Sequence, residues 1–311
     1  MNKTSVSVVI PIYKCQDSIY ELYERLTSTL KNFDNYSIVF VDDRSPDDGW
    51  QKLKKIASND KNVVAIQLSR NFGQHRTLAA GAAHAKHEWT IFMDGDLQDP
   101  PESIPEFVDY AVKHNYDIVM GKTSHKGLPF YRRILSKLYF QVLSGIVQQK
   151  IDPEVTGYSL CSRKVVEKYC SFQEHERHHN FILRWLGYNT GYIYYSRDKR
   201  KDGDSSYSMK RMLKHAVSGL LFFNANFLKS IIYVGFSITI ISSLYIAFVL
   251  YRYFSAQITP GWTSLASLIA FLGGFTLLVL GFIGVYVGQI FETLKKRPLY
   301  IVDNIIEKKN Q

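Results

Sequence analysis

The sequence predicts an α/β protein built on a mostly parallel sheet, and three observations lead there. Apolar runs of strand length alternate with segments of helical period from the first residues onward. The runs are apolar almost throughout, as expected of strands covered on both faces. No GxGxxG loop follows the first run, so a dinucleotide-binding arrangement is disfavoured. Taken in order, "SVSVVIPIY" is the first strand. It leads into a helix that opens with the capping box Ser18-x-x-Glu21 and carries Ile19, Leu22, Tyr23, Leu26 and Leu30 on one face. "YSIVFVDD" is the second strand, and the helix after it carries Trp50, Leu53 and Ile56. "NVVAIQLS", an Ala-rich helix around Thr77 to Ala85, "WTIFMD", a helix near Ile104 to His114, and "YDIVMGK" complete the alternation. No internal repeat or low-complexity segment is present.

Ligands of such sheets bind outside the carboxyl ends of the strands, and two of those ends are acidic, "VDDRSPDD" and "MDGDLQD". In "IFMDGDLQDPPE" a strand runs straight into Asp94, Asp96 and Asp99. Asp, Gly and Pro gather in turns and helix caps, which accounts for such a cluster structurally. The chemical account is that Asp94 and Asp96, two residues apart at a strand end, aim oxygens at one hard divalent cation, Mg2+ or Mn2+, whose shell is completed by substrate phosphates.

The 311 residues carry a formal net charge of +10. No nucleic-acid-binding motif accompanies it, and the basic residues flank the most apolar part of the chain. No charged residue occurs from Ile231 to Tyr251 or from Tyr253 to Phe291. Two spans, roughly Ser230 to Tyr251 and Leu265 to Val287, are expected to form a transmembrane hairpin. Lys210, Arg211, Lys214 and Lys229 before it, and Lys295, Lys296 and Arg297 after it, place both flanks in the cytoplasm by the positive-inside rule. "MNKTSVSVVIPIY" lacks the long apolar core of a signal peptide. The expected location is thus multi-pass in a membrane, with the α/β domain and both termini cytoplasmic. Cys15, Cys161 and Cys170 make no regular framework and suit a reducing compartment. "PFYRRILSKLYFQVLSGIVQQ" and "SMKRMLKHAVSGLLFF" read as basic amphipathic helices lying in a membrane interface. The expected organisation is an α/β core over residues 1–127, a region with interfacial helices over 128–228, two membrane helices over 229–291 and a cytoplasmic tail over 292–311.

In order along the chain, "VVIPIY", "VDDRSPDD", "LSRNFGQHRTLAAG", "MDGDLQDPPE", "SRKVV" and "RKDGDSSYSMKRMLK", then the hairpin and "KKRPLYIV", resemble family-2 glycosyltransferases that load a sugar onto a polyprenyl phosphate. Bactoprenol glucosyltransferases and dolichol-phosphate mannose synthases are the relatives in view. The resemblance implies the nucleotide-diphosphosugar transferase (GT-A type) fold. It assigns Pro11, Tyr13, Asp42 and Gly95 to the nucleotide sugar, and Asp94, Asp96 and Gln98 to the metal and diphosphate, with Asp94 and Asp96 catalytic. Lys122, Arg132 or Arg133, and Arg200 with Ser205 in a closing loop, match the acceptor-phosphate residues. The implied activity is inverting hexosyl transfer from a nucleotide sugar to undecaprenyl or another polyprenyl phosphate, with UDP favoured over GDP and glucose the first choice of sugar. It further implies that the membrane is the bacterial inner membrane, that the protein is a homo-oligomer, possible as a tetramer, and that the product feeds a flippase and a downstream glycosyltransferase modifying a surface glycan.

Two positions depart from the pattern. Lys14 and Cys15 stand where the family reads Asn-Glu, and Gly157 stands where many relatives carry an Asp, with Glu154 or Asp152 as candidate substitutes unless that role is dispensable. A processive polysaccharide synthase is disfavoured because Phe181 replaces the Gln of a QxxRW motif that would end at Trp185. An inactive, membrane-tethered sugar-nucleotide-binding or scaffold protein is favoured by the two departures and opposed by the intact DxD. "HERHH" reads as a solvated loop, and His75 and His84 as helix-surface residues.

Overall fold

The computed structural model of the chain describes residues 4–123, 152–174, 177–197 and 261–308 and, singly, Ser237, Ile240, Leu244, Phe248 and Tyr251. The chain divides into two compact units, one of residues 1–137, 152–206 and 298–311 and one of 138–151 and 207–297.

The first unit is the expected α/β domain. Its strands are β1 (Ser5–Ile12), β2 (Asn35–Asp42), β3 (Val63–Leu68), β4 (Trp89–Phe92), β5 (Ile118–Lys122), β6 (Val155–Ser162), β7 (Thr190–Tyr194) and β8 (Val302–Glu307). Among the described residues they form one eight-stranded sheet in the order β7-β5-β6-β4-β1-β2-β3-β8. β3, β2, β1 and β4 run parallel, and β5 pairs parallel with β7. β6 is antiparallel to both β4 and β5, and β8 is antiparallel to β3.

The helices are α1 (Ile19–Leu30), α2 (Gly49–Asn59), α3 (Gln74–Ala82), α4 (Ile104–His114), α5 (Arg163–Ser171) and α6 (His179–Trp185). Side chains alternate across a strand, so neighbouring residues of β1 feed two different cores. Val6, Val8, Ile10 and Ile12 pack with Leu22 and Leu26 of α1, Trp50 and Leu53 of α2 and Phe107 of α4. Val9 packs on the other face with Leu78 of α3, Val165 and Tyr169 of α5 and Ile182 of α6. The close seating of α3 depends on Gly81, where a Cβ would lie 2.3 Å from Val9 Cγ1 and 3.0 Å from Val41 Cγ2. The apolar stripes read from the sequence are the buried ones, but the capping box at Ser18 does not form. The Ser18 hydroxyl instead lies 2.7 Å from the Gly95 carbonyl and 2.9 Å from that of Cys15, fastening the start of α1 to the acidic loop after β4.

The C-terminal segment, expected as a tail beyond the catalytic domain, supplies the edge strand β8 of the same sheet. In the second unit, residues Trp262–Leu294 form one 33-residue helix, α7, with Leu265, Ile269, Leu280, Val287 and Phe291 exposed. Among the described residues, however, no helix is long and apolar enough to cross a membrane. The expected location, a multi-pass inner-membrane protein with both termini cytoplasmic, is therefore not supported. It rested on a run without charge, which a span requires but which does not by itself make one. The two interfacial helices expected over 128–228 lie outside the described residues.

Candidate active site

The acidic loop takes its geometry from the strand before it. Beyond the end of β4 the chain bends rather than extends, but burial still alternates: Asp94, Asp96 and Gln98 are half-buried while Gly95, Leu97 and Asp99 are buried. The three residues that sequence reasoning grouped as metal and diphosphate ligands thus share one accessible side. Gly95 is required for the descent into the sheet: a Cβ there would meet Ile12 Cδ1 at 2.7 Å and the Pro11 carbonyl at 3.1 Å. Leu97 adopts a left-handed conformation (φ 62°), and the Gln98 N–H donates to Asp96 Oδ1 at 3.2 Å.

Asp94 accepts a hydrogen bond from Gln74 Nε2 at 2.6 Å, and its second oxygen lies 3.5 Å from Arg197 Nη2. Arg197 Nε also lies 3.3 Å from Asp99 Oδ1, and Asp99, only 1 % exposed, accepts from the Tyr195 hydroxyl at 2.6 Å. Burial raises the Asp99 carboxyl above the ordinary range, with Arg197 and Tyr195 working against that shift. Burial alone would lower the Arg197 guanidinium, but Asp99, Tyr195 and Asp94 hold it above its usual value. Gln74, Tyr195 and Arg197 were not singled out from the sequence. Gln74 does lie in "LSRNFGQHRTLAAG", one of the segments that carry the resemblance.

The neighbouring strand ends complete the rim. Pro11 and Tyr13 lie at the end of β1, with Tyr13 exposed. Asp42, at the end of β2, has no exposed surface; it accepts from Gln67 Nε2 at 2.9 Å and from the Ser45 N–H at 3.1 Å. Asp43 accepts from the Phe72 and Gly73 N–H groups at 2.7 and 2.9 Å. Burial raises both carboxyls, against these hydrogen bonds. Lys122, at the end of β5, pairs with Asp152 at 2.7 Å, and Glu154 accepts from the Tyr194 hydroxyl at 2.9 Å. The two candidate substitutes for the missing carboxylate are thus both engaged with neighbours, while a Cβ at Gly157 would meet nothing within 4 Å. Arg132, Arg133, Arg200 and Ser205 lie outside the described residues.

"HERHH" is not a solvated loop throughout. Arg177 is buried over Tyr169 and donates to the Tyr169 and Phe172 carbonyls, and His179 heads α6 at 2 % exposure. His179 Nε2 lies 2.8 Å from Ser159 Oγ and Nδ1 3.2 Å from the Tyr169 hydroxyl, which suits a neutral imidazole. His75 Nδ1 accepts the His179 N–H at 3.4 Å, and His84 Nδ1 lies 2.9 Å from the Ala80 carbonyl. Burial holds His179 well below the usual imidazole range, with His75, His178 and Arg177 adding to the shift. Its contribution to stability is therefore present above the unfolded pKa and is lost as pH falls from about 6.5 toward the folded value. The thermal midpoint should fall across that window, and His179→Gln should flatten the slope; an unchanged slope would show that His179 is not the titrating group.

Asp94 and Asp96 offer half-buried hard oxygens, a set suited to Mg2+ or Mn2+. Among the described residues no group of three or more His, Cys, Asp or Glu could hold a metal ion. The two carboxylates alone would make only part of a cation's shell.

The comparisons with known proteins agree with this architecture. An uncharacterized glycosyltransferase of Bacillus subtilis is 33 % identical over 299 residues, 95 % of this chain and 92 % of the relative. The bactoprenol glucosyl transferase of Shigella phage SfV is 31 % identical, covering 97 % of this chain and 99 % of its own length. A prophage bactoprenol glucosyl transferase homolog of Escherichia coli is 30 % identical, covering 96 % and 99 %. Among solved structures, mannosyl-3-phosphoglycerate synthase from Rubrobacter xylanophilus superposes with a TM-score of 0.51 at 15 % identity, over 69 % of this chain and 73 % of that one. Glucosyl-3-phosphoglycerate synthase from Mycobacterium tuberculosis, solved with Mn2+, UDP and phosphoglyceric acid, gives 0.50 at 16 % identity over 70 % and 78 %. The family model for glycosyl transferase family 2 matches residues 7–170, and the chain belongs to that family.

Proposed function

We propose that this glycosyltransferase moves a hexose, glucose first, from a UDP-sugar to a polyprenyl phosphate with inversion at carbon 1. The observation that carries the reading is the accessible row Asp94, Asp96 and Gln98 at the carboxyl edge of a GT-A sheet. The acceptor class rests on similarity over nearly the whole length of the chain to bactoprenol glucosyl transferases.

As the sugar departs, negative charge develops on the diphosphate. A divalent cation, if held by this loop, would supply neutralisation of that charge. Asp94 and Asp96 would hold the cation and Gln98 would contact the diphosphate. Gln74 and Arg197 fix the Asp94 carboxylate, and Asp99 with Tyr195 fixes Arg197. Tyr13 and Pro11 form the nucleoside side of the rim. The nucleophile, a lipid phosphate, is ionised at neutral pH, so no strong catalytic base is demanded. A glycine at position 157, with Asp152 and Glu154 engaged elsewhere, is compatible with that chemistry. Lys122, with Arg132, Arg133, Arg200 and Ser205, is assigned to the acceptor phosphate.

Purified full-length protein incubated with undecaprenyl phosphate and radiolabelled UDP-glucose, UDP-galactose, UDP-N-acetylhexosamine or GDP-mannose tests the reading. Transfer of label to lipid from a UDP-sugar, abolished by chelator, is the expected result. No transfer from any donor overturns it.

A further inference from the structure

The exposed rim of the donor side ends at Tyr13 and Lys14, and at Lys14 and Cys15 the chain departs from the Asn-Glu of the family pattern. Polar contacts lead from that point to the far end of the sequence. The Lys14 N–H donates to Ser45 Oγ at 2.8 Å, and the Ser45 N–H donates to Asp42 Oδ1. Asp42 Oδ2 accepts from Gln67 Nε2. A side-chain amide has a donor end and an acceptor end, and the Gln67 oxygen faces two donors, Arg44 Nη1 and Asn304 Nδ2, each at 3.4 Å. Those donors fix the orientation of the amide and so direct its NH2 group at Asp42. Arg44 is itself held by Asp303 Oδ2 at 2.7 Å, and Asn304 Nδ2 lies 3.2 Å from the same oxygen. Asp303 and Asn304 belong to β8, whose pairing with β3 shifts register between Gln67 and Leu68. Arg44 and Lys14 both adopt left-handed backbone conformations (φ 54° and 57°). Both strand-end loops are therefore bent at non-glycine residues, a conformation that costs energy and persists where neighbours impose it.

From this arrangement we infer that Asp303 and Asn304 of the C-terminal strand are positioning residues for the nucleoside half of the donor, acting through Arg44, Gln67, Asp42 and Ser45 to set the loop at Tyr13 and Lys14. The inference rests on the donor reading given above. Asp42, fully buried, serves here as the junction that aims the Ser45 N–H rather than as a surface presented to the base. The ligand class is a nucleoside diphosphate, and the effect belongs to donor binding and not to the lipid acceptor.

The test uses the full-length protein and two readouts. In the first, hydrogen exchange without ligand follows the Lys14 and Ser45 amides; Asp303→Ala and Asn304→Ala should each speed it by roughly tenfold, the loss expected for one hydrogen bond. In the second, calorimetry with UDP and UDP-glucose should show a Kd raised by roughly five- to twentyfold in the same variants, with the acceptor KM unchanged. The charge exchange Arg44→Asp with Asp303→Arg should recover most of the donor affinity that either single change loses. Wild-type exchange at Lys14 and Ser45 in both alanine variants overturns the inference whether or not UDP binds. Altered exchange with an unaltered UDP Kd overturns its functional half. A wild-type protein that binds no UDP-sugar sinks the donor reading instead, while the exchange data still decide whether β8 sets the loop.

Discussion

Asp96→Asn should lower turnover by at least ~100-fold, comparable with removing one principal transition-state stabiliser. The substitution keeps the shape of the side chain and its acceptor for the Gln98 N–H, so the bend at Leu97 should survive. What it removes is a negative charge from a cation held by few protein ligands, and Mn2+ binding followed by electron paramagnetic resonance should weaken in parallel with activity. The thermal midpoint should stay near that of the wild type, because Asp96 is half-buried and carries little of the core. Near-normal turnover in Asp96→Asn, or full activity in excess chelator, would defeat the assignment of the loop.

Replacement of Arg197 is the second large effect. Its guanidinium reaches both Asp94 and the buried Asp99, so Arg197→Ala leaves a desolvated carboxylate that, among the described residues, keeps the Tyr195 hydroxyl as a side-chain partner. Charge-assisted contacts are typically worth about 1.5–3 kcal/mol, and the side chain is 35 % exposed, which favours the lower end of that range. Turnover should fall by roughly ten- to a hundredfold as Asp94 loses its fixed orientation. Arg197→Lys keeps the charge but not the fork that spans two carboxylates, and should recover only part of the loss. Equal activity in the Ala and Lys variants would show that charge at this position is irrelevant to the reaction.

Much of the domain was legible because its signals are local. The helix at Ile104–His114 was bounded correctly, and the faces of α1 and α2 declared themselves through Leu22, Leu26, Trp50 and Leu53. The antiparallel strand β6 was missed because "VTGYSLCS" mixes Gly, Ser and Thr into a segment whose burial depends on β4 and β5 on either side. β7 and β8 lie at the two edges of the sheet and are largely solvent-facing, so "TGYIY" and "VDNIIE" give little apolar pattern. Within the site, Asp94 and Asp96 were readable from their spacing at a strand end, and Gln98 from the resemblance alone. Arg197 and Tyr195 were not, since their bonds to Asp99 span 96 residues or more and no local period encodes them. The burial of His179 was hidden for the same reason: Ser159 and Tyr169 come from different elements.

The place of β8 at the edge of the sheet bears on the order in which the protein is made. A ribosome releases β3 long before β8, with 237 residues separating Gln67 from Asn304. Until β8 emerges, β3 presents an unpaired edge of the kind that recruits stray strands. Closing so distant a pairing is also slow, because loop entropy must be overcome before contacts compensate it. Folding intermediates that hold β3 but lack β8 should therefore be exposed to misassembly during synthesis.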